Sequence, residues 1–547
     1  MLNAYPRPQM RRESFINLNG TWDFAVTHGE RPAFFSERIN VPYPPESELS
    51  GIERRIRPNE TMWYRRAFPA IARAEDERVL LHFGAVDQIA EVFLNGAPLG
   101  THEGGYLPFT FDVTDALCGK NELTVKAVDA LDHRYPWGKQ KHKNGGMWYT
   151  PFSGIVGTVW MEVVPNDHIT ALKLVPSLES ITVTIETNAP FSEAVLSIET
   201  PNGPIRTVLH EPSATVPIPD PLLWTPENPH LYPFSVQCGK DTVRSYFALR
   251  TVSQRVVNGI PRLLLNGKPY FFHGLLDQGY WPEGICLPPD DLGYERDVLA
   301  AKAQGFNTLR KHIRVEPLPF YEACDRLGML VIQDFVNNGE YRFLRDTALP
   351  GIGFTRVSDV RRNPDPETRR IFLESASETI RHLQNAPCVV GWTIFNEGWG
   401  QFCADETYRI LKRLDATRFF DATSGWFAQN ESDVISEHVY FRPVLPKCGK
   451  KPFLVSEFGG YVFTKDRKQK YGYRFFRDRE TYRAAIAALY RNEILPAIPK
   501  GLCGAIYTQL SDVENEQNGI LSYDRSEVKT DAVEMRAIAE ALQDAIR

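Results

Sequence analysis

The chain has 547 residues, enough for roughly three or four domains of about 100 to 200 residues, or fewer if one is a barrel. Apolar residues make up 43% and charged residues 24%, the balance of an ordinary globular chain, and the net charge of −6 is spread without long runs. That excludes a nucleic-acid surface and a polybasic membrane anchor, and no stretch approaches the ~18 apolar residues of a membrane span.

The N-terminal segment "MLNAYPRPQMRRESF" lacks the apolar core of a signal peptide. Eight cysteines (Cys118, Cys238, Cys286, Cys324, Cys388, Cys403, Cys448, Cys503) stand singly, with no CxxC pair. Free thiols in a reducing cytoplasm are expected, without cysteine-held metal. Aromatics reach 12%; most belong in a core, and the excess suits sugar-stacking surfaces.

Residues 1–165 read as short strands. "RVLLHFGAVDQIAEVFLNGAPLG" breaks its apolar runs with Gly, Asp and the hairpin pair Asn95-Gly96, while "NELTVKAVDA" and "GTVWMEVVP" alternate with period two. This is the grammar of a jelly-roll-like β-sandwich. Residues 166–250 continue it ("ITALKLVPSLESITVTIETNAP", "AVLSIETPNG") at the size of one immunoglobulin-like β-sandwich.

Near residue 251 the grammar changes. Amphipathic stretches such as "DLGYERDVLAAKAQGF", "PFYEACDRLG", "ETRRIFLESASETIRHLQNAP" and "ADETYRILKRLDATR" alternate with short apolar runs. Eight strand candidates over 251–547 predict a C-terminal (β/α)8 TIM barrel. Active sites of such barrels lie at the C-terminal ends of the strands. Those ends carry Asp277; Arg310 and His312; Asp334; Asn396 and Glu397; Asp421 and Trp426; His438 and Tyr440; Glu457; Gln509 and Asp512. Eight polar ends in succession predict a polar cup.

Two carboxylates stand out. Glu397 closes "VVGWTIFNE" and Glu457 closes "PFLVSE", on the fourth and seventh strand candidates. Those strands face each other across the barrel, so the carboxyls are expected within roughly 5 to 6 Å, the spacing of a retaining glycosidase. One would attack the anomeric carbon and the other would serve as acid and then base.

"GWTIFNEGWG" and "FLVSEFGG" resemble the two catalytic signatures of glycoside hydrolase family 2, the group of β-galactosidases, β-glucuronidases and β-mannosidases. "RESFINLNGTWDF", "MWYRRAF", "LHFGAVDQIAEVFLNG", "GGYLPFTFDVT", "SGIVGTVW", "LLWTPENPHLY" and "LLLNGKPYFFHG" resemble its other segments in the same order, so the likeness runs along essentially the whole chain. The resemblance implies that Glu397 is the acid/base and Glu457 the nucleophile. It implies that Asn396 binds the sugar 2-hydroxyl, Tyr440 donates to the nucleophile and Arg310 favours its charged form. Trp426 and Tyr507 become stacking walls, while Asp277, His312, Asp334 and His438 are further substrate-binding residues.

There are departures. Relatives carry Arg-x-x-His where this chain has Arg310-Lys311-His312, and Trp where it has Tyr507. The acidic–histidine pair of magnesium-dependent β-galactosidases is missing from "QDFVNNGEYRF", so no metal and no cofactor is expected. The Asn-x-Lys signature that binds a uronate carboxylate is missing from "SDVENEQNGILSYDRSEVK", which argues against a uronic acid. The expectation is a cytoplasmic, exo-acting retaining β-glycosidase, most nearly a β-galactosidase. A β-glucuronide, β-mannoside or furanoside substrate, or a non-catalytic carbohydrate-binding role on the same fold, stays as the alternative. The partner is an oligosaccharide or glycoside, with no nucleic acid and no membrane, and self-association is left open. The segment "YPWGKQKHKNGGMWY" (135–149) is a basic loop that could bring Lys139 or Trp148 to the barrel mouth. The run "FTKDRKQKYGYRFFRDR" (463–479) reads as a solvated loop and helix at the pocket lip.

Overall fold

The computed structural model describes every residue except 1, 352, 356, 447–448 and 465–469. Near the N-terminus two antiparallel sheets face each other. One joins Ile16–Asn17, Val159–Pro165, Glu77–Phe83 and Phe109–Asp112; the other joins Glu37–Val41, Gly20–Thr27, Thr61–Pro69, Lys120–Val128, Ile89–Leu94 and Ala97–Glu103. Their inward residues, Trp22, Phe24, Tyr64, Leu81 and Val125 among them, form one closed core. Leu94 pairs with Ala97 across Asn95-Gly96, whose φ angles of 53° and 82° are the positive pair that a two-residue hairpin turn requires. Seven further strands from Ile169 to Phe247 form a second sandwich of a three-stranded and a four-stranded sheet around Leu196, Tyr232 and Val236. The seven described cysteines are free, as read from their spacing; Cys448 lies outside the described residues.

The barrel does not begin directly after the second sandwich. Val252–Val257, Ile260–Leu265 and Lys268–Pro269 first make a small antiparallel sheet. Arg262 Nη1 donates to the Leu502 carbonyl at 3.0 Å, which sets this sheet beneath the start of the last barrel strand.

The eight barrel strands are β1 (Phe272–Asp277), β2 (Thr308–Lys311), β3 (Leu330–Asp334), β4 (Val389–Asn396), β5 (Phe419–Ser424), β6 (Ile435–Val439), β7 (Phe453–Gly459) and β8 (Leu502–Thr508). Nearly every residue in them is buried, as both faces of a parallel sheet under helices require. All neighbours run parallel in the order β5-β4-β3-β2-β1-β8-β7-β6. Between β5 and β6 side chains bridge the seam: Ser436 Oγ donates to the Thr423 carbonyl at 3.3 Å, and Ser424 Oγ lies 3.0 Å from His438 Nε2. The outer helices are α1 (Gly293–Ala303), α2 (Leu318–Leu327), α3 (Pro366–Leu383), α4 (Ala404–Leu414), α5 (Arg479–Leu489) and α6 (Ala532–Ile546). Residues 425–434, between β5 and β6, form no helix. Helix starts follow local chemistry: Asp365 caps α3 ahead of Pro366, and Asp478 and Asp531 cap α5 and α6 through their carboxylates.

β4, which carries Asn396 to the cup, crosses the barrel floor at Gly391. A Cβ there would meet the Phe419 ring at 2.3 Å, and that ring packs edge-on against Phe272. Gly391→Ala is expected to overpack the floor, costing about 1–3 kcal/mol. Calorimetric unfolding should show a lowered Tm; an unchanged Tm would mean that the floor yields freely.

Candidate active site

Arg310, at the C-terminal end of β2, is 1% exposed, and its guanidinium makes four hydrogen bonds to oxygen and an ion pair with Asp334. Nε donates to Asp334 Oδ1 at 3.0 Å and Nη2 lies 3.0 Å from Asp334 Oδ2. Nη2 also donates to Asn396 Oδ1 at 2.8 Å; Nη1 donates to the Ser456 carbonyl and to Glu457 Oε1, each at 3.0 Å. One guanidinium thus ties together the ends of β2, β3, β4 and β7.

Glu457 enters the cup through an irregularity. The pairing of β7 with β8 shifts between Val455 and Phe458, a bulge of the kind that re-aims a side chain. Tyr440 donates its hydroxyl to Glu457 Oε2 and sits 3.0 Å from Thr508 Oγ1. Burial alone would raise the Glu457 pKa. His438, Arg310, His312 and the Tyr440 hydroxyl outweigh it and hold the carboxyl at about 2. Burial and the Glu457 charge push the Tyr440 phenol far up, so it remains a donor.

Glu397 follows β4 in the left-handed region, φ 50°, where a glutamate sits only when its surroundings hold it. Its N–H donates to the Ser424 carbonyl at 2.8 Å. Its Oε1 lies 2.8 Å from His438 Nδ1, while His438 Nε2 lies 3.5 Å from Glu457 Oε1. The imidazole therefore stands between the two carboxylates, and an oxygen of each lies within 4.8 Å of the other and of a His438 nitrogen. The Glu397 side chain is 14% exposed against 7% for Glu457, so Glu397 is the one more open to solvent.

These three residues make a donor set that a cation could take. Glu457, however, already faces a guanidinium on one oxygen and a phenol on the other. A metal there would meet the Arg310 charge at ångström range, so the arrangement fits a substrate cation-like centre arriving from the open side better than a resident ion.

Other expected residues join the same cup. His312 Nδ1 lies 2.9 Å from Asp334 Oδ2; burial and the nearby Lys139 charge lower its pKa to about 4 against the pull of Asp334, which keeps it neutral. Asp334 is held below the ordinary range because Arg310 and His312 overcome its burial. Asp421 lies deeper, and burial raises it to about 6. The Trp426 ring sits 5.5 Å from that of His438.

Asp277, Tyr507 and Asp512 do not join it, which corrects the expectation for them. Asp277 is in register with Lys311, whose ammonium lies over the Phe320 ring of α2, on the outer face of the barrel. The Asp277 carboxylate takes the Lys311 ammonium at 2.5 Å and the Gly279 N–H at 3.0 Å. Tyr507 is likewise in register with Leu275 and Phe458; its hydroxyl accepts from the Tyr461 N–H at 3.2 Å, and its ring packs edge-on against Phe458. Thr508, one residue on, faces the cup instead. Asp512 pairs with Lys529 at 2.5 Å.

Groups that strand-end reading missed come from loops. Tyr473 stacks on Tyr440 with centroids 3.7 Å apart, which puts the described part of 463–479 at the pocket lip; residues 465–469 lie outside the described residues. From the first sandwich, Trp137 and Trp148 stack at 5.3 Å, and Trp148 stacks on Trp399 at 5.2 Å, two residues past Glu397. Tyr341 meets Trp148 edge-on at 4.7 Å. The run of aromatics in "MWY" and "GWG" was the available signal; its contact across domains was not.

Two glutamates within 4.8 Å at the mouth of a parallel barrel, one ionised by arginine and one open to solvent, define a glycoside-hydrolase type of site. Three family models match along the chain: the galactose-binding-like domain of glycosyl hydrolases family 2 over residues 39–153, the family's middle domain over 158–250, and its TIM barrel domain over 257–518. The chain belongs to glycoside hydrolase family 2. It is similar to a β-galactosidase of Thermoanaerobacter pseudethanolicus, 25% identical over 433 residues, 73% of this chain and 54% of that protein. It spans 54%, 34% and 41% of the length of the first three curated relatives it matches. Its fold is that of an uncultured Clostridium sp. β-glucuronidase (TM-score 0.77, 21% identity, 98% of this chain and 99% of that one). It is also that of a family 2 β-galacturonidase from Eisenbergiella tayi (TM-score 0.71, 19% identity, 100% and 98%).

Arg310→Met removes a charge that lowers Glu457 while leaving the burial that raises it. Protonation of Glu457 should move upward from about pH 2, while His438, His312 and the Tyr440 hydroxyl still hold it down. The check is the protonated-carboxyl band in pH-difference infrared spectra, identified by its loss in Glu457→Gln. A band that titrates where it did before would remove Arg310 as the controlling charge.

Proposed function

We propose that the protein is an exo-acting retaining β-glycosidase working by double displacement. Glu457 attacks the anomeric carbon as the glycosidic C–O bond breaks, and Glu397 gives its proton to the leaving oxygen. Glu397 then takes a proton from water, which attacks the glycosyl ester and frees Glu457. The observation that carries this reading is the carboxylate separation. Oxygens within 4.8 Å fit the ~5–5.5 Å carboxyl spacing of retaining enzymes better than the ~6.5–9.5 Å across which inverting enzymes seat a water.

The remaining groups support it. Arg310 and Tyr440 keep the nucleophile ionised and aimed. Arg310 occupies the Asn396 oxygen and so fixes the amide, which suits it to a sugar 2-hydroxyl. Trp426 beside His438 offers a stacking face. The Trp137–Trp148–Trp399 stack walls one side of the mouth, as a pocket for a chain end requires. Among neutral sugars a β-galactoside stands first, in line with the name of the first curated relative.

Glu457→Ala should remain folded and lose aryl β-glycoside hydrolysis by several orders of magnitude, with azide restoring turnover to a glycosyl azide of inverted anomeric configuration. Near-normal turnover in that variant would remove Glu457 as nucleophile. Glu397→Ala should slow glycosides with poor leaving groups about 100-fold or more while sparing activated ones in the bond-breaking step; equal slowing of both would remove it as the acid.

A further inference from the structure

Lys139 is a cation without an anion. It is 7% exposed, and among the described residues its Nζ makes no hydrogen bond and no ion pair. Its neighbours are aromatic faces: the Tyr149 ring centroid at 5.6 Å and that of Trp399 at 5.8 Å. Two rings give an ammonium only modest cation–π attraction, and the Nζ itself still touches solvent. Every other deeply buried lysine tells the opposite story: Lys311 is paired with Asp277 and Glu316, and Lys529 with Asp512. Lys139 instead keeps its Nζ open to solvent, with no anion beside it among the described residues.

Its position says where the partner would come from. Trp399 lies two residues past Glu397, and the Lys139 charge acts on His312, which is hydrogen-bonded to the Asp334 that holds Arg310. The loop carrying it is pinned on both sides of the barrel mouth. The Trp137 N–H donates to the Asn337 carbonyl at 3.0 Å and its Nε1 to the Gly339 carbonyl at 3.1 Å. On the far side the Tyr149 hydroxyl donates to Glu516 at 2.5 Å and the Thr150 N–H to Glu514 at 2.8 Å. The ammonium is therefore held in place at the rim of the cup.

We infer that Lys139 binds the carboxylate of a uronic acid, so that the terminal sugar cleaved is a β-linked uronide rather than a neutral hexoside. This rests on reading the Glu397–Glu457 pocket as a glycosidase site. The missing Asn-x-Lys pair after β8 does not weigh against it, because the cation is supplied from the first sandwich instead. A compact ammonium recognises a carboxylate as a point charge, and an uncharged C6 hydroxymethyl would leave that charge without an anion.

The test compares kcat/KM for aryl β-D-galacturonide with aryl β-D-galactoside, and for aryl β-D-glucuronide with aryl β-D-glucoside. In at least one pair the uronide should lead by about 100-fold. Lys139→Met should collapse that ratio, mainly through KM, and Lys139→Arg should keep much of it. A neutral sugar preferred in both pairs, or an equal fall of both members in Lys139→Met, would overturn the proposal. Calorimetric binding of free galacturonate and glucuronate, against galactose and glucose, decides the lysine's role independently of turnover. Uronate binding lost in Lys139→Met upholds it; no uronate binding, or binding unchanged in that variant, defeats it. Uronate binding without hydrolysis of any glycoside would instead defeat the glycosidase reading alone.

Discussion

A guanidinium buried at the centre of the barrel mouth is the constraint on which the rest depends. Removing Arg310 from water is costly, and the cost is offset by four hydrogen bonds to oxygen and the ion pairs with Asp334 and Glu457. Those acceptors belong to three strands, so the same bonds that solvate the charge fix where β3, β4 and β7 end relative to β2. Asp334 neutralises it from the side, Asn396 is oriented by it, and Glu457 is ionised by it. A change that loosened the ion cluster would disturb the strand ends and the Glu457 charge together.

The opposite side of the cup is built differently. β5 and β6 share no ladder, and the seam is crossed by Ser424, Ser436 and His438. Parallel strands too far apart for backbone pairing leave room for an imidazole between two carboxylates. The left-handed backbone of Glu397 is anchored on the same seam through the Ser424 carbonyl. Local strain of this sort persists where neighbours over-determine it, and it places one carboxylate where solvent and a leaving group reach it while the other stays shielded.

Much of this was legible in the sequence. Period-two segments gave both sandwiches, the alternation after residue 251 gave the barrel, and the apolar runs ending in Asn396-Glu397 and Glu457 marked the carboxylates. What failed was parity. Asp277 and Tyr507 lie at strand ends as read, but a strand's side chains alternate, and one residue decides between cup and helix layer. Lys311 shows the point: Arg310, its neighbour, faces in, while Lys311 faces α2 and takes Asp277 with it. The small sheet at 252–269 was missed because its strands are short and precede the alternating pattern.

Of the aromatic wall, the sequence marks the 135–149 loop as able to bring Trp148 to the mouth, but its stacking partner was not legible. Trp148 and Trp399 are 251 positions apart, and no local pattern tells that a sandwich loop will stack on a barrel loop. Once stacked, the sandwich ceases to be a separable module. Trp137 is bonded to the segment after β3 and Tyr149 to the segment after β8, so the loop bridges two sides of the mouth and carries Lys139 between them. Barrel strands set the bond-breaking geometry, which any β-linked sugar needs. The rim beside the Glu397–Glu457 pair is furnished by residues far from both in the chain. The loop and the Arg310 cluster thus come from different parts of the chain and meet through Lys139, whose charge acts on His312.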